Sequence, residues 1–345
     1  MSTRSRGSDT ADMNTRGTDT AGTDNVGIGI GAIHCVLPEQ RVKVTELPEV
    51  ELLGHDEARF VQECGVRTVG VLPDTAVGEL AARACRGLLA AAPHEPDLLV
   101  MVGPRSPDVL LGSDVCRVQA DVGLESTFAF TVDGLGCTGS SAAWALARDL
   151  LVADPSRSSV LLTHASRPTG ADRVRYPVTV IGDGAYAMTM VRGGRPVLRG
   201  HRMQTDGGFH DLFRVDYKQA PWYEWREVCQ SPDRYRFELA MHSRLRLGRM
   251  VQEVLAEAGL DRGQVAAAVM QNVTASAFEF YETLLGIPIH PVCRTHLADY
   301  GHLGAMDVVL NLDRLMAGGD VSTGDYVLVL NNSPVAAWAV TLWEM

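Results

Sequence analysis

The sequence predicts an α/β protein built from two related halves. Three observations carry this: apolar runs of strand length alternate with stretches of helical apolar spacing along nearly the whole chain. The alternation has a similar rhythm in residues 26–195 and 196–345, as expected of two α/β units stacked around one core. No short repeat of solenoid type offers another origin for that rhythm. With 345 residues, 46% of them hydrophobic, the chain is long enough to bury such a core.

Residues 1–25 stand apart. They carry a near repeat, "RGSDTAD" and then "RGTDTAG", and almost no large apolar side chains, so they cannot offset the entropy of ordering and are expected to form a disordered tail. From Val26, "VGIGIGAIHCVLP" predicts a buried strand ending at a proline, and "TAVGELAARACRGLLAAA" (75–92) a helix by its apolar spacing. "DLLVMVG" is a strand, "SDVCRVQADVGL" a helix, and "TFAFTVDGLG" a strand running into a glycine-rich turn. "SAAWALARDLLVA" is the next helix and "SSVLLTHAS" the next strand, while "VTVIGDGAYAMTMVRG" is a glycine-punctuated turn feeding another strand.

The second half opens with a strand, "PVLRGHRMQT", and a looser aromatic stretch. A long helix over about 233–259, a strand "VAAAVMQN" and a helix "ASAFEFYETLLG" follow. A further helix, "GAMDVVLNLDRLMAGG", and two strands, "DYVLVLNN" and "AAWAVTLWE", complete the chain.

The formal net charge is −11, which argues against nucleic acid or an anionic membrane surface as the main partner. No run approaches the roughly 20 apolar residues of a membrane helix, and the start lacks the apolar stretch of a signal peptide, so a cytoplasmic location is expected. The seven cysteines form no CxxC pair and sit mostly in apolar segments, which favours reduced, buried thiols and gives no reason to expect a metal or other cofactor.

One cysteine differs from the rest. In "DGLGCTGSSAAW" (133–144), Cys137 follows a strand and directly precedes a helix, where the positive end of the helix dipole favours its thiolate. Gly136 and Gly139 permit the tight turn that would lift its sulfur clear of the sheet. These residues predict a nucleophile with a lowered pKa.

Four segments together resemble the ketoacyl synthase III branch of the thiolase-fold enzymes, over about Val26 to Met345: "GIGAIHCVLPEQRV", "DGLGCTGSSAAWALA", "VIGDGAYAMTM" and "GDYVLVLNNSPVAAWA". The resemblance implies a five-layered αβαβα thiolase fold and a homodimer. It also implies an acyl group passed from coenzyme A or an acyl carrier protein to the cysteine matching Cys137.

The chain departs from that family at two places. Where the family has a "HQAN"-like block, this chain has "QNVT" (Gln271 to Thr274), and where it has "YGN", this chain has "YGH" (Tyr300 to His302). Gln271 cannot accept a proton at neutral pH, so acid or base work must come from elsewhere; Gln271 and Asn272 are left as substrate-binding candidates. His302 is the candidate base, with Asp307 as its orienter and Asp299 as the alternative. An i, i+5 pair lies about 140° apart on a regular helix, so Asp307 can serve only if His302 precedes the helix.

This arrangement resembles divergent acyltransferases of antibiotic pathways, which acylate hydroxyls of sugars or other small acceptors. The expected oxyanion donors are the backbone N–H groups of Cys137 and Ser333, because Pro334 has none. The segment 209–230 concentrates aromatics, and Trp222 and Trp225 are candidates for an acceptor wall. "GDGA" (182–185) reads as a sheet turn under the site. The resembled family's adenine-stacking tryptophan is not evident, with Phe60 near its place, while "GVRT" (65–68) keeps an arginine; the missing tryptophan weakens coenzyme A relative to a carrier protein. A condensing or starter-unit synthase and an idle carrier-binding subunit are the alternative functions.

Overall fold

The computed structural model describes residues 27–345, so the tail expected over 1–25 lies outside the described residues. The first half contains β1 (Ile28–Val36), β2 (Arg41–Lys43), α1 (His55–Glu63), β3 (Thr68–Gly70), α2 (Val77–Ala91), β4 (Leu98–Val102), α3 (Asp114–Asp121) and β5 (Phe128–Val132). It continues with α4 (Gly139–Ala153), β6 (Ser159–Ser166), β7 (Val174–Arg175), β8 (Thr179–Val180) and β9 (Gly184–Arg192). After it come β10 (Val197–Thr205), β11 (Phe213–Val215), β12 (Glu227–Cys229), α5 (Ala240–Ala258), β13 (Val265–Met270) and α6 (Ala275–Leu285). The chain closes with α7 (Pro291–Tyr300), α8 (Asp307–Gly318), β14 (Tyr326–Ser333) and β15 (Ala337–Glu344).

Nine strands form one mixed sheet in the order β13-β14-β15-β10-β1-β9-β6-β4-β5. Outward from the centre, the order β10-β15-β14-β13 follows the same connectivity as β1-β9-β6-β4, and the two sets meet at one residue pair, Gly29 opposite Val197. In each set the outermost of these contacts are parallel (β4 with β6, β13 with β14) and the inner ones antiparallel. Where the first set has β5, the second has only a parallel bridge between Ala268 and Ile289.

The strands are apolar on both faces because both are covered. Along β4, Leu99 and Met101 join Leu80, Ala84 and Leu88 of α2 in one buried cluster, while Leu98, Val100 and Val102 face the larger central cluster with Trp144 of α4. Helix α4 packs on strands of both sets, α2 covers the outer face of the first, and α5 covers β10 and β15 of the second. Trp144 of α4 and Trp343 of β15 meet edge to face at 5.4 Å in the middle of the molecule. Helices therefore lie outside, between and outside the two sets of strands.

The expected strands and helices all occur, with differences that have physical causes. The long helix opens as a π-helix, Arg234–Leu239, before α5. Helix α1 was not anticipated because its sequence, "HDEARFVQE", buries only Val61. Helix α7 was missed for a similar reason: its start is set by His290, whose Nδ1 accepts the Val292 N–H, rather than by an apolar stripe.

Candidate active site

Strand β5 delivers the chain to the turn 133–136, and one 3-10 turn, Gly136–Thr138, carries Cys137 immediately ahead of α4. Gly136 has φ +52°, and a Cβ there would lie 2.4 Å from Ser333 Oγ, so only glycine allows both the turn and the close approach of β14. The first turn of α4 is pinned on two sides. Asn331 Nδ2 donates to the Cys137 carbonyl (2.9 Å), and Ser140 Oγ donates to the Ala305 carbonyl (2.7 Å) and pairs with the Tyr186 hydroxyl (2.7 Å).

His302 reaches the thiol from the strap between α7 and α8. Its N–H donates to the Val180 carbonyl (2.9 Å) and its carbonyl accepts the Gly182 N–H (3.1 Å), which makes a parallel bridge with Ile181. Gly182 is required there, because a Cβ would lie 2.1 Å from the Tyr300 carbonyl oxygen. The "GDGA" segment is thus the seat of the histidine strap, as a sheet turn under the site.

The structure brings Cys137, His302 and Asp307 together. Cys137 Sγ lies 3.0 Å from His302 Nε2, and His302 Nδ1 lies 2.5 Å from Asp307 Oδ2. Because His302 precedes the turn 304–306 and Asp307 is the first residue of α8, the carboxylate reaches back over the turn and the i, i+5 separation is no obstacle. Asp307 is fully buried and held by the N–H groups of Leu303 (2.8 Å) and Asn272 (2.8 Å). Asp299, the alternative orienter, instead pairs with Arg67 at 3.0 Å, away from the imidazole.

The electrostatics follow from this geometry. Burial opposes ionisation of Cys137, but His302 and the more distant Arg105 and Arg175 outweigh it and bring the thiol down to about 7. Burial likewise disfavours a charged imidazole, yet Cys137 and Asp307 raise His302 to about 9. The pair favours thiolate and imidazolium at neutral pH, while burial raises Cys85 to about 11 and Cys293 to about 12.

Cys137 opens into a cavity of about 280 Å³ whose wall includes Arg105, His164, Arg175, Phe213, Glu227 and Ser333. Ser333 thus shares this wall with Cys137. His164 Nδ1 donates to the Val102 carbonyl (3.1 Å), and burial lowers its pKa to about 4, so its unpartnered Nε2 is a bare acceptor. Gln271 and Asn272 are not part of this wall: Gln271 Nε2 donates to the Asn332 carbonyl (3.1 Å), and Asn272 supports Asp307 and accepts from Asn311 Nδ2 (2.9 Å). Trp222 is 66% exposed and outside the wall, and Trp225 donates to the Ala220 carbonyl and lines a neighbouring cavity. The aromatic segment contributes Phe213 and Glu227 instead, a correction with a simple cause: β11 and β12 pair as a hairpin that turns these residues inward.

Among the wall residues not foreseen are Arg105, His164, Arg175 and Glu227. His164 left a signal, a lone polar ring inside the wholly buried strand "SVLLTHAS". Among the described residues no group of His, Cys, Asp or Glu could hold a metal ion, and no helix is long and apolar enough to cross a membrane.

Comparison with known proteins agrees with the architecture. Residues 255–345 match the family described as 3-oxoacyl-[acyl-carrier-protein (ACP)] synthase III C terminal. The beta-ketoacyl-[acyl-carrier-protein] synthase III of Alkalilimnicola ehrlichii is 24% identical over 300 residues, covering 82% of this chain and 91% of the relative. Among solved structures, the 3-oxoacyl-(acyl carrier protein) synthase III of Pseudomonas aeruginosa PAO1 superposes with a TM-score of 0.76 at 21% identity, covering 92% of this chain and 98% of that one. ChlB3, an acyltransferase, superposes with a TM-score of 0.79 at 22% identity over 92% of this chain and 98% of its own.

Proposed function

We propose that this chain, a ketoacyl synthase III-like protein with the thiolase fold, moves an acyl group from a carrier-protein or coenzyme A thioester through Cys137 to a hydroxyl or amine of a small acceptor. A sugar or a natural-product scaffold, as in antibiotic assembly, is the acceptor class this reading favours. The observation that carries it is the arrangement at His302: one ring nitrogen on the thiol, the other on Asp307, with Gln271 unable to act as a base at the alternative position.

In the first step the Cys137 thiolate attacks the thioester carbonyl, and the oxyanion is met by the N–H groups of Cys137 and Ser333. Collapse forms the acyl-cysteine, and the His302 imidazolium gives its proton to the departing thiolate. Acylation then removes the negative charge on sulfur that raised the His302 pKa. The neutral imidazole, held in one tautomer by Asp307, takes the proton of the acceptor as it attacks, and returns it to the Cys137 sulfur on collapse. Buried Asn272, Asn311 and the Leu303 N–H hold Asp307 in place rather than meeting substrate.

The donor side has its own support. The outer face beginning at the π-helix exposes Arg236, Arg244 and Arg249 together with Phe237, Met241 and Leu245, a basic and apolar surface suited to an acidic carrier protein. Beside it a cavity of about 500 Å³ is lined by Phe60, Arg236, Thr274 and Asn332, next in sequence to Ser333.

The names of the curated relatives favour a second reading, condensation onto malonyl thioester. Intact-mass measurement after incubation with a panel of acyl thioesters separates the two. A mass gain lost in Cys137→Ala, with malonyl retained and then released to an acceptor, is the expected result. A decarboxylated, chain-extended product would replace the transferase reading with the synthase one, and no mass gain from any thioester would leave only a binding subunit.

A further inference from the structure

We propose that Arg105, Arg175 and Glu227 form a binding site, in the wall of the Cys137 cavity, for a carboxylate carried by the substrate. The three residues come from distant segments: the turn after β4, strand β7 and strand β12. Arg105 Nη1 donates to Glu227 Oε2 at 3.1 Å, and an Nη of Arg175 pairs with Glu227 Oε1. All three side chains are largely buried, Arg175 to 5% exposure.

Two guanidinium groups thus share one carboxylate, which leaves a positive charge uncompensated in a wall where solvent screening is weak. The other charged groups of the wall do not balance it: the Cys137 thiolate is paired with the His302 imidazolium, and Asp133 and Arg214 are exposed and of opposite sign. Arg175 also keeps a donor in reserve: its Nε–H is buried with no partner in the protein. The group is held rigid, since its guanidinium lies over the Phe213 ring at 4.6 Å.

A buried cation with a spare donor beside a reactive thiol is costly unless something completes it. A carboxylate does so, accepting from Arg175 and Arg105 together while Glu227 fixes their spacing. Cys137 and both arginines line the same cavity of about 280 Å³, which places the anion within reach of a short acyl chain on Cys137 or of an acceptor bound opposite it. The chemistry is therefore that of a short dicarboxylic acyl group or of a hydroxy- or amino-acid acceptor. This inference rests on the acyltransferase reading only for the substrate's role, not for the site itself.

The first test needs no turnover. Succinate should slow alkylation of Cys137 by iodoacetamide at least about tenfold more than the neutral succinamide does, the scale of a charge-assisted contact. Arg175→Met should bring that ratio close to one. The double variant Arg175→Met with Glu227→Gln removes opposite charges together, so Glu227 is not stranded, and it should show the same loss in a folded protein. Equal protection by succinate and succinamide in the wild type, or a ratio that survives in the folded double variant, overturns the proposal.

The second test finds the source of the carboxylate. Faster loading from succinyl- than from butyryl-N-acetylcysteamine, by about tenfold or more, assigns it to the acyl group. Equal loading, but faster release of acetyl from Cys137 to lactate than to lactamide, assigns it to the acceptor. Protection by succinate with no preference in either arm, where loading occurs, overturns the substrate assignment. If no thioester loads Cys137 while succinate still protects it through Arg175, the acyltransferase reading fails and the carboxylate site stands.

Discussion

The thiol of Cys137 is lowered to about 7 and the imidazole of His302 raised to about 9, so thiolate and imidazolium coexist between those values. Alkylation of Cys137 should rise with pH through a midpoint near 7 and outpace that of Cys85 and Cys229, whose pKa values burial raises. Peptide mass spectrometry after brief iodoacetamide exposure reads this, and a midpoint above 8 would remove the proposed ion pair. In His302→Ala burial is no longer opposed by the imidazolium, so the midpoint should move up and loading should slow. Release to acceptor should then fall by about 10²- to 10⁴-fold, and the variant should hold its acyl group. Asp307→Asn should behave alike to a smaller degree, because the imidazole remains while its tautomer is lost. Single-turnover release from preloaded variants measures both. Cys137 was legible from its glycine-rich strand-to-helix turn, and His302 and Asp307 from the resemblance, which sets "YGH" where the family has "YGN". Arg105, Arg175 and Glu227 were not, since a charged residue in a loop or short strand carries no sign of what the topology will bring beside it.

At the level of elements, the strap bearing His302 lies directly on the turn before β9, and its height above the sheet is set by the missing side chain at position 182. Gly182→Ala should destabilise the protein by about 1–3 kcal/mol, the usual effect of forcing an atom into a filled space, and should lower acyl release more than its thermal midpoint suggests. Release unchanged in the folded variant would mean that the strap tolerates displacement. The exposed Trp222, by contrast, should tolerate alanine with loading and release within about twofold of the wild type. The aromatic segment was legible as a patch of unusual composition, but not which of its residues faced inward, because that depends on the pairing of two three-residue strands. Longer strands were legible throughout, because β4, β6, β9, β14 and β15 are buried along nearly their whole length and carry apolar residues on both faces.

Across the whole molecule, β5 ends the sheet with an open edge on which Phe128 is 68% exposed, and the loop after β4 also exposes Val109, Leu110 and Leu111. An unpaired apolar edge of this kind favours pairing with another chain, and a homodimer through β5 is the assembly we propose. Sedimentation should give twice the chain mass, and Phe128→Glu should shift the protein toward monomer; a wild-type monomer at micromolar concentration would rule the assembly out. The two sets of strands meet along the sheet only where Gly29 faces Val197, and the contacts that complete the site span the seam: Asn331 of β14 holds the Cys137 carbonyl, and Asp307 on α8 holds the ring of His302, whose backbone is bridged to Ile181. The sulfur-to-nitrogen gap is therefore a strain gauge for the seam, since slippage of even an ångström between the halves opens it while leaving every helix and strand intact. On heating, thiolate reactivity at Cys137 should fade several degrees before ellipticity does, so a stored sample could look folded and yet be catalytically spent.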